Sequence, residues 1–268
     1  AVAPQPVLDA LVQAMESLPW QALRLGDVPI ATSRWQQTTA ALERAALPYH
    51  FRPEMQPGRI DTRGDWESYQ QTWSRRHRQQ VTRHLRALSQ CGRVEFQFHD
   101  RIAPTEVEAR LSAGFDLEDQ GWKGEQGSSV RRTASMFAFY CGQACELARR
   151  KQLRLAMLLV NERPIAFAYG MAAKGTYRSY KVGYAPEFGQ YSPGQLLRYH
   201  TIEHCFHNPD CLAIDYITPT PAHLHWRLER YQIGRLLIAR PTVLGRCLVA
   251  TGRHFRRTAA MPPEPANP

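Results

Sequence analysis

Residues 153–184 hold three strand-length stretches in succession, Leu153 to Val160, Ile165 to Ala172 and Tyr177 to Tyr184. The turn Asn161-Glu162-Arg163-Pro164 separates the first two, and Lys174-Gly175 lies between the last two. A parallel neighbour needs a crossover of about a dozen residues, so these strands are confined to an antiparallel meander. Whatever this chain folds into has to be built around that meander. Upstream, Val94 to Phe98 alternates as a strand, with Val94, Phe96 and Phe98 on one face. Pro104 to about Glu118 reads as a helix, GWKGEQG at residues 121–127 as a loop, and Thr133 to Arg150 as a long amphipathic helix. Downstream, EFGQYSPG leads into a helix from Gln195 to about His207. A strand at Cys211 to Ile217, a short helix around Ala222 to Arg230 and a strand at Gly234 to Ala239 follow. This order predicts a mixed α/β (α+β) domain with a mostly antiparallel sheet flanked by helices.

The opening residues read as helix, strand, helix, hairpin. Pro6 to Leu18 has apolar positions at helical spacing, and Trp20 to Leu25 suits a short strand. Thr32 caps a helix that runs to about Ala46, and Tyr49 to Arg52 and Arg59 to Thr62 flank the turn Pro57-Gly58. Asp65 starts another helix, which the Arg-rich stretch from Ser74 to Ser89 continues or follows. The segment TAAMPPEPANP, at residues 258–268, is Pro-rich and predicted to be disordered.

With 268 residues, 43% of them apolar, the chain can bury a sizeable core, and overall disorder is excluded. No window approaches the roughly 20 apolar residues of a membrane span, and no basic-then-apolar leader opens the sequence. Lys and Arg number 34 against 24 Asp and Glu, a net charge of +10. That balance suits nucleic acid, anionic lipid or a phosphorylated ligand, or it reflects only an Arg-rich composition. The six cysteines form no CxxC pair, and the histidines show no HExxH or other metal spacing, so no metal is expected. Scattered cysteines in a chain of this length suit a reducing cytoplasm.

The most informative element for chemistry is the strand, then EFGQYSPG, then helix, over residues 177–207. Pro193-Gly194 at a helix start offers free N–H groups, the positive end of the dipole and room for a phosphate. Neither GxxxxGK[ST] nor GxGxxG is present, so this is no Walker or dinucleotide loop. The alternative is a plain turn capped by Ser192.

Several short motifs occur together. They are Ser74-x3-Arg78-x4-Arg83, Leu117-Glu118 before Gly121-Trp122-Lys123-Gly124, and Ile165-Ala166-Phe167. Tyr180-Lys181-x2-Tyr184, Tyr191-Ser192-Pro193-Gly194-x-Leu196-Leu197 and Asp215 complete the set. Over about residues 64–240 this combination resembles the GNAT superfamily of N-acetyltransferases. It is most similar to the CelD-like (cellulose-biosynthesis-type) branch, which is related to the Fem peptidoglycan transferases. Two departures are visible. The superfamily's usual Q/RxxGxG/A loop is replaced by residues 190–194, QYSPG. Members also usually carry a second, N-terminal GNAT-like half, of which residues 1–62 look like the C-terminal remnant. The resemblance therefore implies an N-terminally incomplete chain, with residues 63–257 as the GNAT domain.

The resemblance implies acetyl-CoA, or another acyl-CoA, as co-substrate. Gln190, Tyr191, Ser192, Pro193, Gly194 and Gln195 would cradle its pyrophosphate, and the strand from Lys181 to Tyr184 would line the pantetheine. The acceptor would attack the thioester directly, with backbone N–H groups stabilising the oxyanion. Glu118 is then either a general base or a solvated helix-end charge. Trp122 packs the loop or contacts substrate, and Lys123 binds an acidic substrate or is solvated. Lys181, on a central strand, has to face a cleft or meet a carboxylate, for which Asp215 is the expected partner. Tyr184 is core or an acid for the departing thiolate. Arg78, on the Arg-rich helix, contacts a phosphate or acidic glycan, or belongs to a solvated face. The implied acceptor is a saccharide or another polar metabolite tied to exopolysaccharide or cellulose production, with the synthesis proteins as partners. Two other readings fit: a Fem-like transferase using aminoacyl-tRNA, and a catalytically inactive GNAT-fold subunit that binds a glycan or a synthase partner.

Overall fold

The computed structural model describes residues 5–254, so the expected disordered tail lies outside the described residues. In chain order the elements are α1 (Gln5–Glu16), β1 (Ala22–Val28), α2 (Ser33–Arg44), β2 (Tyr49–Met55), β3 (Gly58–Asp61), α3 (Trp66–Gln71) and α4 (Arg75–Ser89). Next come β4 (Val94–His99), α5 (Val107–Gln120), α6 (Trp122–Glu125), α7 (Met136–Arg149), β5 (Leu153–Val160), β6 (Arg163–Ala173) and β7 (Thr176–Tyr184). A 3-10 turn at Pro186–Tyr191 leads into α8 (Pro193–His207), followed by β8 (Ala213–Tyr216) and a second 3-10 turn at Pro221–Trp226. The last elements are β9 (Glu229–Arg230), β10 (Ile233–Ala239) and α9 (Val243–His254).

The chain divides into two compact units. One comprises residues 57–230; the other joins residues up to 56 with those from 231 onward. The divisions between the units fall at residues 56/57 and 230/231, and β10 lies in the same unit as β1 and β2. The expected hairpin around Pro57-Gly58 does not form. Strand β2 pairs with β10, whereas β3 pairs with β8 and β9 in the other sheet. The Pro-Gly step thus separates two sheets instead of folding one back on itself. The reason lies in register: β10 is apolar enough to take the centre of a three-stranded antiparallel sheet, with Leu236 opposite both Leu25 of β1 and Phe51 of β2. Leu8 and Val12 of α1, one turn apart, bury with Ala41 and Leu42 of α2 against Leu236 and Ile238.

The larger unit holds a seven-stranded sheet in the order β4-β5-β6-β7-β8-β3-β9. Strands β4 to β7 form the antiparallel meander that the turns require, with Leu155 opposite Tyr169 and Phe167 opposite Gly183. Strand β7 then pairs in parallel with β8, but only over Thr176–Arg178 against Ala213–Asp215. Past Arg178 no strand among the described residues lies against that edge of β7. Two local features split the strands. β8 is only four residues long, and Tyr180 is an extra residue between the pairs Tyr169–Lys181 and Gly170–Ser179, a bulge that twists β7 away.

Alternation along β6 separates the two faces. The Phe167 ring lies against Gly114 of α5, while Ala168 points to the cavity beneath α8. Thus α5 and α7 cover one face, and α8 covers the other with α3 and α4 beside it. Asp65 and Ser74 start α3 and α4 by accepting bonds from the N–H groups of Ser68 and His77 at 2.7 and 3.2 Å. An aromatic cluster seats α3 on α8, with Tyr69 stacked on Phe206 at 4.9 Å and Trp73 edge-on to Trp226 at 5.0 Å.

Candidate active site

The parting of β7 from β8 leaves a groove, and the first turn of α8 stands at its mouth. A Cβ added to Gly194 would lie 3.6 Å from Tyr184 and 3.9 Å from Val182, in ordinary contact. Neither packing nor backbone conformation demands glycine there, so the bare backbone is space left open beside the helix N-terminus. Ser192 takes the left-handed conformation (φ 52°), and its carbonyl accepts bonds from the N–H groups of Gln195 and Leu196 at 2.9 and 3.1 Å. The side chain of Ser192 makes no capping bond, contrary to the plain-turn reading.

The expected cofactor residues fall into two groups. Gln190, Tyr191, Ser192 and Gly194 reach the surface, while Pro193 is buried. Gln195 turns inward: its Oε1 accepts from Trp226 Nε1 at 2.9 Å and from Arg198 Nη1 at 3.0 Å. A cavity of about 20 Å³ below it is lined by Tyr177, Ser179, Val182, Gly194, Arg198 and Tyr216, among others. The hydroxyls of Tyr177 and Tyr216 are buried there with no hydrogen-bond partner, and the space suits a single water. Burial lowers the Arg198 pKa. The rim is therefore accessible and the floor already holds hydrogen-bonding groups.

On the opposite face, the end of α5 meets β7. A Cβ on Gly183 would lie 2.6 Å from the Glu118 backbone nitrogen, so glycine is what lets α5 approach this strand. Glu118 is 4% exposed. Its Oε1 accepts from Lys123 Nζ at 2.7 Å, and its Oε2 from the Val130 N–H at 3.1 Å. It is thus a buried, paired carboxylate and not a solvated helix-end charge. Its neighbour Asp119 accepts from Ser129 and, at 2.9 Å, from Arg132 Nε. Together these two carboxylates hold the returning segment 129–132 against the end of α5. The expected loop at 121–127 contains the short helix α6, which lies so close to α5 that a Cβ on Gly124 would stand 1.7 Å from the Asp119 carbonyl.

Lys181 does not meet Asp215. Its Nζ lies 5.5 Å from the centre of the Tyr140 ring, and among the described residues it enters no ion pair. Asp215 instead faces Arg178, its cross-strand neighbour, with Nε 3.8 Å from Oδ2. The bulge at Tyr180 carries Lys181 onward to α7, beyond the last residue that β8 can reach. Tyr184 stands beside Gly194 at the groove mouth, packed on the core. Trp122 is 38% exposed, with Lys123 Nζ 5.8 Å from its ring centre. Arg78 is not brought to this cluster. It lies on α4, on the α8 face, and donates to the Gln71 carbonyl of α3 at 3.1 Å.

Sequence reasoning missed Tyr140, Arg178 and the exposed Tyr180. Burial, and next the Glu118 charge, raises the Tyr140 pKa. Its place on the α7 face toward β6 was visible in the helical periodicity; its meeting with Lys181 was not. No group of three or more His, Cys, Asp or Glu among the described residues is placed to hold a metal. No described helix is long and apolar enough to cross a membrane.

Comparison with known proteins agrees with this geometry. No curated protein matches the sequence. Among solved structures, FemX superposes with a TM-score of 0.62 at 10% identity, covering 91% of this chain and 78% of that one. The C-terminal domain of a protein described as a lysylphosphatidylglycerol synthetase from Agrobacterium fabrum gives 0.56 at 9% identity, covering 93% and 77%. L-PGS from Bacillus licheniformis gives 0.52 at 11%, covering 94% and 79%. At these identities the likeness is one of fold. The model of the acetyltransferase (GNAT) domain matches residues 75–237, more than half of the chain, and the protein belongs to that family, with a GNAT fold.

Proposed function

We propose that this protein is an acyl-CoA-dependent acyltransferase of the CelD-like branch, acting on the hydroxyl or amine of a saccharide or other polar metabolite. One observation carries the reading: the parallel pairing of β7 with β8 stops at Arg178–Asp215, and the N-terminus of α8 lies over the gap with an unobstructed Gly194. Gln190 to Gly194 would hold the pyrophosphate, and Gln195 would act from beneath by fixing Arg198 and Trp226. The acyl-CoA supplies the activated thioester. The acceptor attacks its carbonyl, the unpaired edge of β7 offers backbone N–H groups to the oxyanion, and the thiolate departs past Tyr184. Asp215, where the β7–β8 pairing stops, would take the acceptor's proton, and Glu118 would do so only on release from Lys123 or the Val130 N–H. In this reading the partners are proteins of exopolysaccharide or cellulose synthesis. Calorimetric titration with acetyl-CoA tests the assignment. Micromolar binding by the wild type, lost in a folded Gly194→Glu variant, is expected; equal affinity in the variant removes the loop from the site.

A second reading, transfer from aminoacyl-tRNA, is favoured by α4. Arg75, Arg76, Arg78, Arg83 and Arg86 are all exposed, and among the described residues none pairs with a carboxylate. Binding of tRNA that weakens steeply between 50 and 200 mM salt, as expected for about 5 phosphate contacts, would support it over the first.

A further inference from the structure

Three cations line the α5/α7 face of β7. Lys123 bonds to Glu118, whose backbone abuts Gly183, Lys181 is on the strand itself, and Arg178 sits where the pairing with β8 stops. The outer two have carboxylates, Glu118 for Lys123 and Asp215 for Arg178. Among the described residues the middle one meets the face of Tyr140 and no carboxylate. Around it, exposed rings gather: Tyr180 is 44% exposed, and its ring follows Tyr169 at 6.3 Å and Tyr140 at 5.5 Å beyond. Phe139, 56% exposed, stands 5.3 Å from Tyr140. An ammonium in a partly buried aromatic setting, between two ion pairs and without an anion of its own, is a binding group awaiting one.

We propose that Lys181 binds a carboxylate of the acceptor, so that the acceptor is a carboxylate-bearing molecule lying on the Tyr140–Tyr180 ledge. This rests on the acyltransferase reading above and narrows its acceptor class. The unpaired edge of β7 starts immediately after Arg178, so a ligand anchored at Lys181 lies beside the groove in which the thioester would be attacked. Two sources share this chemistry, acidic sugars and amino acids.

The test uses the full chain and matched probes: glucuronate against glucose, and alanine against alaninol. Binding is read by saturation-transfer NMR titration in wild type, Lys181→Met and Lys181→Arg, and acetyl-CoA affinity is measured separately on each protein. At least one carboxylated probe is expected to bind about tenfold or more tighter than its carboxylate-free partner, the worth of one charge-assisted contact. That preference should vanish in Lys181→Met and persist in Lys181→Arg; the pair that shows it identifies the source. Equal binding within both pairs, a preference that survives Lys181→Met, or no binding of either carboxylate overturns the proposal. Failure of the acetyl-CoA titration with the carboxylate preference intact counts against the acyltransferase reading instead, and leaves the anion site standing.

Discussion

The pair Glu118–Lys123 permits a quantitative test, because its members are unequally buried. The Glu118 side chain is 2% exposed and that of Lys123 26%. Lys123→Met leaves a buried carboxylate with the Val130 N–H as its remaining bond. Losing one partner of a fully buried pair costs about 3–5 kcal/mol, and the partial exposure of Lys123 reduces this to about 2–3 kcal/mol. Glu118→Gln keeps an acceptor for Val130 and loses one charge-assisted bond, about 1–2 kcal/mol. The double variant contains no unpaired charge, so its cost should be about 2 kcal/mol and not the sum of the two. The coupling is then about 1–3 kcal/mol, well outside the additivity expected of independent sites. Urea denaturation followed by circular dichroism measures all four corners of the cycle. For a unit of this size the Tm of Lys123→Met should fall by roughly 4–12 °C. If the single costs add to within about 0.5 kcal/mol, the two side chains do not act as a pair and the account of the α5–α6 corner is wrong.

Burial holds the His77 pKa down to about 4 and the His223 pKa to about 3, against about 6.5 in an unfolded chain. Both are neutral in the fold, so the stability they confer is present above about pH 6.5 and is lost as pH falls toward those values. Each contributes a slope of about 1.4 kcal/mol per pH unit. His77→Gln with His223→Gln should flatten the stability profile between pH 6 and 5; an unaltered slope there refutes the assignment. Glycines in the two halves of the site should respond oppositely. Gly183→Ala drives a methyl to 2.6 Å from the α5 backbone and should cost about 1–3 kcal/mol, whereas Gly194→Ala, at 3.6 Å from its nearest neighbour, should stay within about 0.5 kcal/mol. Equal urea midpoints for the two variants would contradict the packing described.

The elements governed by short-range rules were legible in the sequence. The caps Asp65 and Ser74, the meander of β5 to β7 and the helix after Pro193 all follow from local chemistry or turn length. The resemblance of scattered motifs added what spacing alone left open, namely the GNAT fold. Long-range choices were hidden. Nothing local says that β2 and β3 belong to different sheets, because that depends on β10, far along the chain. The partner of Lys181 was misjudged for a similar reason. Adjacency of strands was anticipated, but the parallel register and the residue inserted at Tyr180 decide which side chains meet. The apolar positions Val243, Leu244, Leu248 and Val249 of α9 carry a helical pattern that the reading left unassigned.

The place of β10 has a consequence for how the chain is made. Its two neighbours, β1 and β2, are made well before it, since β2 ends at Met55 and the strand that joins them spans Ile233–Ala239. Residues 57–230 have their own core and can close while the opening segment still presents two strands with no hydrogen-bonding mate. Synthesis therefore passes through a long interval in which β1 and β2 are open edges, able to pair with other nascent chains. A stop codon just after Arg230 would make that interval permanent. The shortened product should keep the groove beside β7 and yet aggregate through β1 and β2.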